Sequence, residues 1–168
     1  MLVTYKSLSS VLGIDFFYFR YRYILFMNLR IFVVDDEECI RDTFKWHLES
    51  FGHEVLTAPE PLLCSVYQGH QCDHDDACGD VLLVDYNMPR MNGIEFIDQM
   101  AQRGCKGATE NKFIMSGNTS DIDMAKARKL GCSVLDKPIS LTQLELIIEE
   151  AKKRIDPARK LTELSVTT

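Results

Sequence analysis

Four short apolar runs each end in a side chain that can do chemistry. Ile31–Val34 runs into Asp35-Asp36, Val81–Val84 into Asp85, Lys112–Met115 into Ser116-Gly117, and Ser133–Leu135 into Asp136-Lys137-Pro138. A continuous apolar run bounded by turn residues fits a strand covered on both faces, as in a parallel sheet wrapped by helices. In such open sheets ligands sit outside the carboxyl ends of the strands. If the four runs are parallel neighbours, Asp35, Asp36 and Asp85 meet the Ser116 hydroxyl and the Lys137 ammonium in one crevice.

Three carboxylates that close repel one another, and a single lysine does not neutralise them. A hard divalent ion with oxygen ligands would. Mg²⁺, which keeps several waters and takes one or two carboxylates plus a phosphate, suits a shallow open rim. The set therefore reads as metal-assisted phosphoryl chemistry, in which the protein chiefly positions groups and neutralises charge. Asp85 can be the nucleophile that accepts the phosphoryl group. Mg²⁺ on Asp36 and Asp85, with Asp35 reaching it through water, would cover one phosphoryl oxygen, Lys137 a second and the Ser116 hydroxyl a third. Gly117 leaves room for the group to arrive.

The elements that must position these residues follow in order. A first helix is expected from about Glu37 to Ser50, with Ile40, Phe44, Leu48 and Phe51 at helical spacing and Gly52 as terminator. A strand over Glu54–Thr57 and a helix from about Pro59 to Gln68 come next. After the Asp85 turn a helix spans Gly93–Arg103; Thr119 or Ser120 is expected to cap the next, which stops at Gly131. Ser140 to Gln143 forms a capping box ahead of a last helix striped by Leu144, Ile147, Ile148 and Ala151.

With those elements placed, the chain resembles the receiver domain of a two-component response regulator. The resemblance rests on Val33-Val34-Asp35-Asp36-Glu37-Glu38, on Leu83-Val84-Asp85-Tyr86-Asn87-Met88-Pro89-Arg90-Met91-Asn92-Gly93, on Ser116 within Ile114–Asn118, and on Lys137 in Asp136-Lys137-Pro138-Ile139. It implies an α/β, doubly wound, five-stranded parallel sheet of order 2-1-3-4-5, flavodoxin- or CheY-like. It further implies phosphorylation of Asp85 by a histidine kinase or histidine phosphotransfer protein, the Asn87 backbone carbonyl in the metal shell with Asp35, Asp36 and Asp85, and a cis Lys137-Pro138 bond. Signalling would run through the face of the fourth predicted helix, fifth strand and fifth helix to a protein target. The chain would turn over only its own phosphoryl group, by self-phosphorylation and slow autodephosphorylation. Receivers usually carry Tyr or Phe three residues before the lysine; here that position is Val134.

The 168 residues suit one receiver over 29–155, with an atypical aromatic segment at 1–28 and a polar tail at 156–168, and so a stand-alone regulator. Residues 1–28 hold eight of the sixteen aromatics, but Asp15, Arg20 and Arg22 interrupt any membrane span. The formal charge of −6 divides as +2 for that segment and −8 for the rest, so nucleic acid is not an expected partner. Six cysteines, at 39, 64, 72, 78, 105 and 132, are too sparse for a disulfide scaffold and fit free thiols in the cytoplasm. His70, Cys72, His74 and Cys78 lie among aspartates in the 69–79 loop; their spacing matches no common zinc pattern, and a solvated acidic loop is the simpler reading.

Two other functions fit fewer residues. A Mg²⁺-dependent phosphatase working through an aspartyl phosphate would need a carboxylic acid two residues past its nucleophile, where Asn87 stands. An unphosphorylated receiver-like interaction module would not need the acidic set at all.

Overall fold

A computed structural model describes residues 27–63, 67 and 69–164. Five strands, β1 (Arg30–Val34), β2 (Glu54–Ala58), β3 (Val81–Asp85), β4 (Lys112–Ser116) and β5 (Ser133–Asp136), form one parallel sheet of order β2-β1-β3-β4-β5. Among the described residues four α-helices flank it: α1 (Glu38–Ser50), α2 (Gly93–Gln102), α3 (Met124–Leu130) and α4 (Leu141–Lys152). They correspond to the first, third, fourth and fifth helices expected from sequence.

Side chains alternate across a strand, and here both alternating sets are apolar. Phe32, Val34, Leu82, Val84 and Ile114 pack with Ile94, Phe96 and Ile97 of α2 and Ala127 of α3. Ile31, Val33, Leu83, Phe113 and Met115 pack on the opposite face with Phe44 and Leu48 of α1 and Leu144, Ile148 and Ala151 of α4. The strands are continuous apolar runs because helices cover both faces.

Differences from the sequence expectation have local causes. The Asn118 side chain accepts from the Ser120 amide and starts a 3-10 turn over Thr119–Asp121; Ile122 is then extended, and Asp123, not Thr119 or Ser120, caps α3 by accepting from Lys126 N. Phe51 falls at the C-cap of α1 and is exposed. Of the helix expected over Pro59–Gln68, the described part is a 3-10 turn at Pro61–Leu63 whose Leu62 and Leu63 face solvent, with Tyr67 buried; residues 64–66 and 68 lie outside the described residues. The capping box at Ser140 and Gln143 is present, as is the cis Lys137-Pro138 bond.

Packing extends beyond residue 155. Arg159 grips the buried Asp80 carboxylate with two hydrogen bonds of 2.6 and 2.7 Å and donates to the Asn28 carbonyl; Thr162 N donates to Ala77 O, and Leu164 reaches the α2 side of the core. The aromatic segment before Met27 lies outside the described residues. Among the described residues no helix is long and apolar enough to cross a membrane.

His53 adds a pH-sensitive element. It is buried, and its Nδ1 accepts the Leu29 amide at 3.1 Å, which requires the neutral ring. Burial, helped by Lys152, lowers its pKa from 6.5 to about 4. The unfolded chain therefore takes up this proton before the folded one, so the stability His53 contributes is complete above pH 6.5 and is lost as pH falls toward 4. In urea titrations, wild type should lose about 2 kcal/mol more than His53→Asn between pH 7 and pH 5. Parallel losses in the two proteins would contradict this reading.

Candidate functional site

The register of the sheet assembles the site. Val34 pairs with Val84, Asp85 with Met115, and Ser116 with Asp136, so Asp35, Asp85, Ser116 and Lys137 leave neighbouring strands at the same edge. The Lys137 ammonium lies 2.8 Å from Asp35 Oδ2 and 2.5 Å from Asp85 Oδ1, with Glu37 Oε1 at 3.7 Å. Asp35 is fully buried and Asp85 nearly so. The second oxygen of each carboxylate is also held: Asp35 Oδ1 accepts from Glu37 N at 3.0 Å and Asp85 Oδ2 from Asn87 N at 2.5 Å.

The remaining expected residues stand around this trio. Asp36 is exposed, its backbone tied down by Arg41, which donates to the carbonyls of Asp35 and Asp36. The Ser116 hydroxyl turns to its own loop, donating to Asn118 O and accepting from Asn118 N, both at 3.1 Å. A Cβ placed on Gly117 would meet nothing within 4 Å, so the approach is open there. Gly93 is required for a different reason: a Cβ would come within 2.6 Å of the Asp85 carbonyl, so glycine lets α2 start against the acceptor turn.

Burial raises the Asp35 pKa, although the hydrogen bonds from Lys137 and the Glu37 amide oppose it. For Lys137, burial would lower the pKa, but the bonds to Asp35 and Asp85 outweigh it and leave the ammonium firmly charged. Asp35, Glu37 and Asp85 thus share one lysine and Asp36 adds a fourth carboxylate, leaving the rim with an excess of negative charge even with Arg41 behind it. That excess fits a divalent cation. Among the described residues no three acidic, His or Cys groups stand close enough to form a metal shell by themselves. The His and Cys residues of the 69–79 loop likewise do not converge on a common point.

Sequence reasoning missed three supporting contacts. Glu37, the third acid of the run, reaches Lys137. Arg90, at a left-handed φ of 69°, pairs its guanidinium with the buried Glu60 carboxylate, anchoring the acceptor loop to the segment after β2. The Tyr86 hydroxyl donates to Asp121 O at 3.1 Å and links the acceptor loop to the loop after Ser116. Val134 is half-buried on β5, with no ring at that position.

The family model of the response regulator receiver domain matches residues 31–149. The chain belongs to this family. Its relatives include the transcriptional regulatory protein FixJ of Bradyrhizobium diazoefficiens, 30% identical over 138 residues that cover 77% of this chain and 60% of that protein. The receiver spans about half the length of the curated relatives it matches. A response regulator receiver structure from Clostridium thermocellum superposes with a TM-score of 0.59 at 28% identity, covering 74% of this chain and 94% of that one. The receiver domain of the Pseudomonas aeruginosa sensor histidine kinase PA1611, which has a magnesium ion coordinated in its active-site cleft, shares the fold with a TM-score of 0.60 at 17% identity, covering 75% and 98%.

The buried trio makes a stability prediction. In chelator, Lys137→Met should destabilise the receiver by about 3 kcal/mol, because two buried carboxylates lose their shared cation. Asp35→Asn should stabilise it: a raised folded pKa means the ionised Asp35 costs stability at neutral pH, and the amide removes that cost. Equal midpoints for all three proteins in chemical denaturation would contradict the assignment.

Proposed function

We propose that this receiver is a phosphoacceptor switch in which Asp85 takes a phosphoryl group from a histidine kinase or histidine phosphotransfer protein. The observation that carries the reading is the Asp85 carboxylate held between the Lys137 ammonium and the Asn87 amide, at the sheet edge where Asp35 and Asp36 also end. An Asp85 oxygen attacks the phosphorus of a phosphohistidine, the P–N bond breaks, and the imidazole leaves with the electron pair. Lys137, already bonded to Asp85, stays within reach of an incoming phosphoryl oxygen. The Ser116 hydroxyl must leave Asn118 to reach another. Autodephosphorylation follows when water attacks the phosphorus and the bond to Asp85 breaks, returning the carboxylate and inorganic phosphate.

Mg²⁺ held by Asp36, Asp85 and the Asn87 carbonyl, with Asp35 acting through water, would supply charge neutralisation on the phosphoryl oxygens; the excess negative charge of the rim supports it, and the Pseudomonas receiver of the same fold holds that ion. Movement of Ser116 pulls on the loop that contains Asp121, and so on the Tyr86 hydrogen bond. Tyr86 then carries part of the readout that Val134 has no ring to perform. The output face is that of α3, the edge strand β5 and α4, which would shift population toward a target-binding form.

Two observations weigh against the alternatives. A phosphatase would need an acid at position 87, where the side chain is a neutral carboxamide with no proton to give a leaving group. An inert module has no use for a lysine shared between two buried carboxylates. Incubation with acetyl phosphate and Mg²⁺ should add one phosphoryl group by intact mass, with none on Asp85→Asn and none in chelator. Absence of incorporation into wild type would favour the inert module, whereas turnover of a generic phosphomonoester lost on Asp85→Asn would favour the phosphatase.

A further inference from the structure

The edge of the sheet opposite Asp85 carries a second assembly. Arg30, Val81 and Lys112 begin β1, β3 and β4, and there a cavity of about 580 Å³ opens between the strand starts, the 70–80 loop and the connection from α2 to β4. Its size falls within the range of small-molecule sites, roughly 300 to 1,000 Å³. One wall is apolar, built from Phe32, Leu82, Phe96 and Met100.

Four cations and four acids line the cavity, but they are not all paired with one another. Lys112 is only 3% exposed, and its ammonium finds a thiol, Cys105 Sγ, at 3.6 Å. Arg103 donates to the Tyr67 hydroxyl and stacks on that ring, and Lys106 faces solvent at the rim. Among the described residues none of the three is paired with a carboxylate. Of the cavity's own acids, Glu54 holds Arg30 at 2.7 Å and Asp80 holds Arg159 at 2.6 Å, while Asp73 and Glu163 are exposed at its rim. In a chain of net charge −6, a buried ammonium with no carboxylate partner is unexpected. A buried charge is ordinarily paired, and the thiol is a weak acceptor.

We propose that this cavity binds a small amphipathic carboxylate, its head on Lys112, Arg103 and Lys106 and its aliphatic body against Phe32, Leu82, Phe96 and Met100. Lys112 supplies the selectivity for an anion, because it alone of the three is almost wholly withdrawn from water. The site is independent of Asp85 chemistry, at the other end of the same strands.

The test uses decanoate, decanol and decyltrimethylammonium with the full chain in calorimetry, below micelle-forming concentrations. Decanoate should bind saturably at one site, at least tenfold more tightly than the other two. Lys112→Met, which replaces a buried cation by an apolar chain of similar shape, should abolish that preference and leave acetyl phosphate labelling of Asp85 intact; Lys112→Arg should keep it. Equal binding of decanoate and decanol, no saturable binding of decanoate, or a preference that survives Lys112→Met would each overturn the proposal. Because labelling of Asp85 is read in the same samples, failure here is distinguishable from failure of the phosphoacceptor reading.

Discussion

One ammonium shared by two buried carboxylates organises the active edge. Lys137 reaches Asp35 and Asp85 at once, and neither acid has enough exposure to be stabilised by water alone. This contact constrains the strands, since it exists only when β1 and β3 are neighbours and β5 ends level with them. It also sets the chemistry. A single cation holds both acids in place while leaving net negative charge for a second cation, and the backbone amide of Asn87 fixes the other oxygen of Asp85. The rest of the edge serves that contact: Arg41 clamps the acidic pair from behind, Glu60 and Arg90 moor the acceptor loop, and Gly93 lets α2 start against it.

The sheet was legible in the sequence because parallel strands buried on both faces leave a signal that survives without context, and Ile31–Val34 and Val81–Val84 are such runs. The convergence of Asp35, Asp85 and Lys137 was legible because Asp35 and Asp85 are the first polar residues after their runs and Lys137 the second after its own. What escaped depends on single long-range pairs that have no period. Nothing in the neighbourhood of Arg159 announces Asp80, nor does Glu60 announce Arg90. The start of α3 was misplaced because three polar residues, Asn118, Thr119 and Ser120, can all cap, and only the extended Ile122 shows that their turn ends before the helix begins. Ser116 was expected to face Asp85, yet its hydroxyl is satisfied by Asn118, a contact two residues away that no apolar run announces.

The two ends of the sheet show opposite electrostatic solutions. At the carboxyl edge acids outnumber cations; at the amino edge the buried Lys112 ammonium has a thiol and no carboxylate beside an apolar hollow. Both follow from where an open parallel sheet can place charge without disturbing the apolar strand centres. The segment after α4 belongs to the second end, since Arg159 and Leu164 close over it.

The central claim is that the Asp35, Asp36 and Asp85 rim is a divalent-cation site primed for phosphoryl transfer. Titration of isotopically labelled protein with Mg²⁺, followed through backbone amides, tests it most directly. The account predicts saturable shifts at Asp36, Asn87 and Lys137 that vanish in Asp85→Asn. Shifts confined to the acidic 73–76 loop, or a response unchanged by that substitution, would contradict it.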